Sequence, residues 1–182
     1  MMNKVYFDTL QWNQWPITLV ISSSGLQMLE FSTPQRLQFH EADRRPGIRF
    51  IHDGKALDPY LSQLREYFNG ERRQFDMPLD LKGTAFQLRV WQFLQSIPYG
   101  QVASYQEAAF AAGNGKAVRA AGMANNRNPV SVVVPCHRVV GKNGRLVGYG
   151  GGLDLKESLL MLEGVGVRDG RITEDAAWMK NH

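Results

Sequence analysis

The segment Asn128-Pro129-Val130-Ser131-Val132-Val133-Val134-Pro135-Cys136-His137-Arg138-Val139-Val140 decides how this chain is read. The run from Val130 to Val134 is β-branched and apolar, which predicts a short buried strand. Pro135 cannot donate to a strand ladder, so regular pairing should end where Cys136 begins. That puts a thiol at the mouth of a rigid element. An isolated cysteine serves either as a small buried hydrophobe or as a nucleophile, and the neighbouring His137 and Arg138 favour its thiolate. If residues 136 and 137 are extended, their side chains leave on opposite faces; cooperation between them then needs a bridging water or a local turn.

Outward from this segment the chain is well punctuated. On the carboxy-terminal side, Asn143-Gly144 carries a hairpin signal that returns the chain at Gly148-Tyr149-Gly150-Gly151-Gly152. Glycines there either let backbone N–H groups approach a ligand or make a flexible loop. Leu155, Leu159 and Leu162 then mark a last helix, with Glu163 at its end and Gly164 after it. On the amino-terminal side, a helix from about Lys116 to Asn126 follows the Asn114-Gly115 turn. A shorter helix, started by the Ser104/Glu107 capping box and ending near Gly113, precedes that turn. The pair has helix-turn-helix spacing, although an ordinary helical hairpin has the same pattern. Ala117, Ala120, Ala121, Gly122 and Ala124 surround Lys116 and Arg119, so the second helix is slim enough for close approach to another helix or a DNA groove. Before it, Thr84 and Gln87 form a capping box for a helix whose apolar face is Phe86, Val90, Phe93, Leu94 and Ile97.

The first third has strand character at residues 4–7, 17–21 and 26–31, which predicts a small antiparallel sheet. Residues 32–54, with Pro34, Arg36, Arg44, Arg45, Pro46 and Arg49, read as a solvated connection. A helix is expected over 58–69, with Asp58 as cap, Pro59 in the first helical position, and Leu57, Tyr60, Leu61, Leu64 and Phe68 as its stripe. The polar stretch from Glu71 to Lys82 divides the chain, giving an amino-terminal α/β domain at 1–80 and a second domain at 81–182.

The whole chain has 182 residues, 43% of them hydrophobic, which is enough for a core and excludes disorder. Its one cysteine can form neither an intramolecular disulfide nor a multi-thiolate zinc site and points to a reducing compartment. There is no run of about 20 apolar residues, and Met1-Met2-Asn3-Lys4 is not followed by a signal-peptide core, so a cytosolic location is expected. With 21 basic and 17 acidic residues the formal charge is +4, a mild lean toward polyanions.

Asn128-Pro129, Val134-Pro135-Cys136-His137-Arg138-Val139 and Gly148-Tyr149-Gly150-Gly151-Gly152-Leu153 together resemble the O6-alkylguanine-DNA alkyltransferases, also called methylated-DNA–protein-cysteine methyltransferases. The resemblance runs from about Gly83 to Gly164, with Asp58–Gly70 similar to the helix that closes the family's first domain. Residues 1–56 and 165–182 are much less diagnostic. The resemblance implies a ribonuclease-H-like α/β amino-terminal domain, a small sheet with a helix, followed by a mostly α carboxy-terminal domain with the helix-turn-helix. It implies direct, single-turnover repair of O6-alkylguanine, and of O4-alkylthymine, in double-stranded DNA with nucleotide flipping. The chain would act as a monomer without cofactor or metal, in the cytoplasm and, in a bacterium, at the nucleoid.

By motif position, Cys136 corresponds to the alkyl acceptor, His137 to the histidine that activates it through water, and Glu163 to the carboxylate that orients the histidine. Asn128 corresponds to the hinge asparagine and Tyr105 to the phenol that donates to the guanine ring. Tyr149, the Gly150 N–H and Val139 fall in the substrate pocket. Arg119 corresponds to the arginine that fills the gap left by the flipped nucleotide, and Lys116, Ala120 and Gly122 fall on the DNA-facing helix. The chemistry suits these residue types. Displacement at an alkyl carbon needs a soft nucleophile and a stabilised leaving group, and the base must leave the stack at a cost of a few kcal/mol. Two other readings stay open: a non-catalytic alkylated-base sensor of the same fold, whose known relatives carry tryptophan in place of the cysteine, and a Cys-His acyl-transfer hydrolase.

Overall fold

A computed structural model describes residues 3–37 and 47–179, which divide into two compact units. The first comprises residues up to Leu81 together with Pro129–Ser131, and the second comprises Lys82–Asn128 and the chain from Val132 onward.

In the first unit, strands β1 (Asn3–Trp12), β2 (Trp15–Ser22) and β3 (Gly25–Glu30) form an antiparallel meander. A fourth strand, β4 (Ile48–His52), joins β1 in parallel, giving the order β3-β2-β1-β4. The sheet is therefore mixed, and part of the expected solvated connection is a strand. Ile48 and Phe50 pack against the buried group Val5, Val20, Met28 and Leu37, so alternation in a five-residue stretch outweighed its arginine, Arg49. Residues 34–37 are helical, and Arg44, Arg45 and Pro46 lie outside the described residues. β2 is buried at every position from Ile17 to Ile21, as a central strand should be.

The edge at β3 is covered: Leu26 exchanges backbone hydrogen bonds with Pro78 and Asp80, and Leu29 with Pro129 and Ser131. Gly25 permits this approach, since a Cβ there would stand 2.4 Å from the Pro78 carbonyl oxygen.

Helix α1 (Gly54–Phe68) begins four residues before the expected start. Its cap is Asp53, whose Oδ1 accepts from the Ala56 N–H at 3.0 Å, whereas Asp58 lies one turn inside and is exposed. Pro59 lies inside the helix, where the ring forfeits one intrahelical bond near the amino-terminal end. Leu57, Leu61, Leu64 and Tyr67 are its buried stripe.

The second unit opens with α2 (Ala85–Ser96), closed at its start by the reciprocal Thr84/Gln87 box. Strand β5 (Gln101–Ser104) leads directly into α3 (Tyr105–Ala111), which Ser104 and Glu107 cap in the same manner. After a turn in which Asn114 Oδ1 accepts from the Lys116 N–H comes α4 (Val118–Asn126), which packs against both α3 and α2. Trp91 fixes this corner by donating its indole N–H to the Ala124 carbonyl at 2.9 Å.

The expected valine strand does not form. Val130 makes one isolated bridge to Leu29, residues 131–134 turn, and Val132 is buried with φ of 71°. The Val134 carbonyl explains the turn, because it accepts from both the Asn128 side-chain amide at 2.7 Å and the Cys136 N–H at 2.8 Å. With those polar groups satisfied locally, the strained β-branched residue is held without a ladder. Cys136–Arg138 then forms a 3₁₀ turn that runs into β6 (Val139–Val140), parallel to β5. The last helix, α5 (Leu153–Leu162), ends at Glu163, with Gly164 at φ of 81°. Beyond it the chain makes the hairpin of β7 (Val167–Arg168) and β8 (Arg171–Ile172), then β9 (Ala177–Trp178), which completes the order β6-β5-β9. None of the short strands β5 to β9 was expected from the sequence. Each has four residues or fewer, too few for periodicity to register.

Candidate active site

The site is built around the 3₁₀ turn. Cys136 is 4% exposed, and burial pushes its thiol above the ordinary value of 9.0. Hydrogen bonds from Asn128, its own backbone and Tyr149, together with the charge of Lys156, work in the opposite direction. The turn supplies the change of direction that an extended Cys136-His137 pair would have lacked.

His137 is fully buried, and its Nε2 meets Glu163 Oε1 at 3.0 Å. Burial lowers the histidine below 6.5, against the pull of Glu163 and with the help of Arg138 and Lys156, so the ring is neutral near pH 7. Bonding to a carboxylate assigns the proton to Nε2 and leaves Nδ1 as a base that hydrogen-bonds to no other described residue. Glu163 would be raised by burial. The charges and hydrogen bonds of His137 and Arg138 outweigh that and hold it well below the usual carboxylate range. Its Oε2 also accepts from the Gly100 N–H at 3.2 Å.

Tyr105, at the start of α3, donates its hydroxyl to the Val147 carbonyl at 2.8 Å, with the Gly148 carbonyl at 3.2 Å. Burial, and then the charge of Cys136, push it up to about 12, so it remains a proton donor throughout the neutral range. Gly148, at φ of 57°, lets the loop pass the phenol: a Cβ there would lie 3.3 Å from the hydroxyl. Val139 is buried, while Gly150 is exposed on the glycine loop. α4 starts two residues later than the sequence suggested, so Lys116 is exposed in the turn before it; on the helix itself Arg119, Ala120 and Met123 form the exposed side and Ala121, Ala124 and Asn125 the buried one. Gly122 lies beside the Tyr105 ring, where a Cβ would be 3.7 Å away. Of the sequence-selected residues, Cys136, His137, Val139 and Glu163 are buried, Asn128, Tyr149 and Gly122 are half-buried, Lys116, Arg119 and Ala120 are exposed on or just before α4, and Gly150 is exposed on its loop; Tyr105 touches both that loop and α4.

Two further residues escaped the sequence reading. Lys156 is 0% exposed, donates to the Val139 and Val147 carbonyls at 2.5 and 2.9 Å, and lies 5.8 Å from the Tyr105 ring centroid. Burial lowers it to about 8, against the pull of Cys136. The available signal was a lysine placed three and four residues before Leu159 and Leu160, on the apolar face of its helix. Asn125 is also buried, and its side-chain amide donates to the Cys136 carbonyl at 3.4 Å, a second tie from α4 to the cysteine turn.

One buried thiol, set among hydrogen-bond donors beside the hydrogen-bonded cluster of His137, Glu163 and Arg138, in a unit that also carries two short helices joined by a tight turn, defines a class of protein with a single-cysteine reaction centre. The chain belongs to the 6-O-methylguanine DNA methyltransferase family: the DNA-binding domain of that family matches residues 85–165 and its ribonuclease-like domain residues 5–81. A methylated-DNA–protein-cysteine methyltransferase of Methanosarcina barkeri is 41% identical over 159 residues, which cover 87% of this chain and 97% of the relative. The Mycobacterium tuberculosis protein of the same name is 43% identical over 162 residues, covering 87% and 92%. The crystal structure of Mycobacterium tuberculosis O6-methylguanine methyltransferase superposes with a TM-score of 0.75 at 41% identity, and the same protein in complex with DNA with 0.76, each covering 87% of this chain and 92% of that one.

Proposed function

We propose that this chain repairs O6-alkylguanine, and O4-alkylthymine, in double-stranded DNA by moving the alkyl group to Cys136 in a single irreversible turnover. The observation that carries the reading is the setting of the only cysteine: buried, held by Asn128 and Tyr149, beside Lys156, and next to a neutral His137 anchored on Glu163.

In this reading His137 Nδ1 takes the thiol proton through a water. The sulfur attacks the alkyl carbon, an S–C bond forms as the C–O bond breaks, and the electron pair departs with the base. The Tyr105 hydroxyl, already a donor to backbone oxygens, turns to the purine and supplies hydrogen bonding or a proton to the leaving base. Tyr149, Gly150 and Val139 border the flipped base. Lys116, Ala120 and Gly122 lie along the minor groove, and Arg119 occupies the gap in the stack. Asn128 ties the groove helix to the cysteine turn. Residues 1–80 form the amino-terminal α/β domain, and 81–182 carry DNA binding and transfer. No helix of the described residues is long and apolar enough to cross a membrane, and we place the protein in the cytoplasm, at the nucleoid in a bacterium, as a monomer that uses no cofactor.

Incubation with a duplex containing O6-methylguanine, followed by peptide mass spectrometry, tests this. One methyl group on the Cys136 peptide, saturating at one per protein, is expected. Continued turnover, or an unmodified Cys136, would overturn the reading.

A further inference from the structure

The outward face of the carboxy-terminal hairpin carries three arginines in one row. Arg168 and Arg171 are register partners across the two-residue turn Asp169-Gly170, both of whose φ angles are positive, at 53° and 69°. Arg171 also faces Arg145 in an antiparallel bridge. The Leu146 N–H donates to the Gly170 carbonyl and the Ile172 N–H to the Gly144 carbonyl, which makes Arg145 and Arg171 a non-hydrogen-bonded pair, the closer of the two antiparallel arrangements. Directly opposed side chains share a face, so Arg145, Arg171 and Arg168 all project to one side. On the other side the neighbouring Leu146 and Ile172 are buried with Val102, Val140, Leu160 and Val165, and Val167 packs against them.

Like charges placed directly opposite one another destabilise a sheet, and the usual remedy is an interleaved carboxylate. Here no ion pair reaches any of the three guanidinium groups among the described residues. The three line a groove of about 710 Å³ with Ile172, Thr173 and the carboxylates Asp169, Glu174 and Asp175. At roughly 4.8 Å between neighbouring strands the row spans about 10 Å, which is longer than one phosphate group. Arginine forks bind phosphate oxygens bidentately, and a file of phosphates along the row would give each guanidinium the direct anion contact that none of the lining carboxylates makes.

We propose that Arg145, Arg168 and Arg171 form a second contact for the phosphate backbone of nucleic acid, separate from the face of α4. The site rests on the DNA-repair reading for its occupant. Its carboxylate rim confines the backbone to the line of the guanidinium groups.

The test measures binding to an undamaged 20-base-pair duplex against salt concentration. Replacing all three arginines by glutamine should reduce the slope of log K against log salt by about 2 to 3, because each phosphate contact contributes about 0.9. Arg168→Gln alone should reduce it by about 1, which keeps the result independent of the triple variant's folding, and the triple Arg→Lys variant should keep most of the slope. An unchanged slope in the triple glutamine variant overturns the proposal. So does thermal stabilisation of the unsubstituted protein by tripolyphosphate together with an unchanged duplex slope, which assigns the groove to a small free anion. Failure of the repair reading would be distinct: Cys136 would stay unmodified by O6-methylguanine duplex while the slope comparison on undamaged duplex stood.

Discussion

Arg138 grips Glu163 with both arms of its guanidinium group, Nε on Oε2 at 2.9 Å and Nη2 on Oε1 at 2.8 Å, inside the second unit where both side chains are buried. Its third nitrogen donates to the Ile97 carbonyl at 2.6 Å. The charge of Glu163 is therefore balanced before His137 arrives. The histidine can hold its place by hydrogen bonding alone and remain a neutral base, which is the state a proton acceptor for Cys136 requires.

Replacing Glu163 by glutamine keeps the shape but leaves the Arg138 charge buried and uncompensated. Removal of one partner of such a pair costs about 3–5 kcal/mol. A urea midpoint at pH 7 should fall accordingly, and the rate of Cys136 alkylation should fall with it. An unchanged midpoint would mean that the pair contributes nothing net.

The neutral state of His137 sets a pH dependence for stability. Its folded pKa lies below the ordinary 6.5, so the unfolded chain takes up the proton first as pH falls. Stability should be fully present above about pH 6.5 and decline below it, by up to about 1.4 kcal/mol per pH unit for this group. Glu163 has the same sign in a lower window: its contribution is present above the ordinary 4.5 and is lost only as pH falls toward its depressed folded value. Denaturation midpoints between pH 7.5 and 5 in the native protein and in His137→Asn should separate the first window, since the substitution removes it.

Lys156→Met removes the cation beside Cys136 and the donor to two carbonyls. The thiol should become harder to ionise, slowing iodoacetamide alkylation at pH 7 by about tenfold for each pKa unit of upward shift. Because Lys156 itself loses its proton near pH 8, the difference between the two proteins should narrow above that pH. A constant ratio across pH 6–10 would indicate a purely structural lysine.

Arg119→Ala should slow repair within duplex DNA by more than it slows reaction with free O6-benzylguanine, because only the duplex reaction requires the nucleotide to leave the stack. Rates for the two substrates, measured side by side, decide this. Equal losses would rule out a role in the extruded-base complex.

Much of the site was readable without coordinates because the signals are local. Capping boxes need only residues three apart, and the Thr84/Gln87 and Ser104/Glu107 pairs both form as their spacing predicts. Pro135-Cys136-His137-Arg138 with Glu163 at a helix end is a linear pattern, and its members come together. The errors are places where a distant partner outweighed a local preference. Val130–Val134 has the composition of a strand, yet the Asn128 amide captures the Val134 carbonyl and forces a turn. Ile48–His52 became a strand because β1 offered a parallel edge, and Asp53 took the cap because α1 extends one turn further back than Pro59 suggested.

One soft nucleophile, a histidine and an arginine beside it, and a slim cationic helix are legible in the sequence, since these are residue types at short spacing. Protonation states and the neighbours that set them emerge only in the folded chain. Burial of Lys156 near the thiol, the two-armed clasp of Arg138 on Glu163 and the row of three arginines all join residues far apart in the chain, and desolvation and charge pairing depend on distance in space.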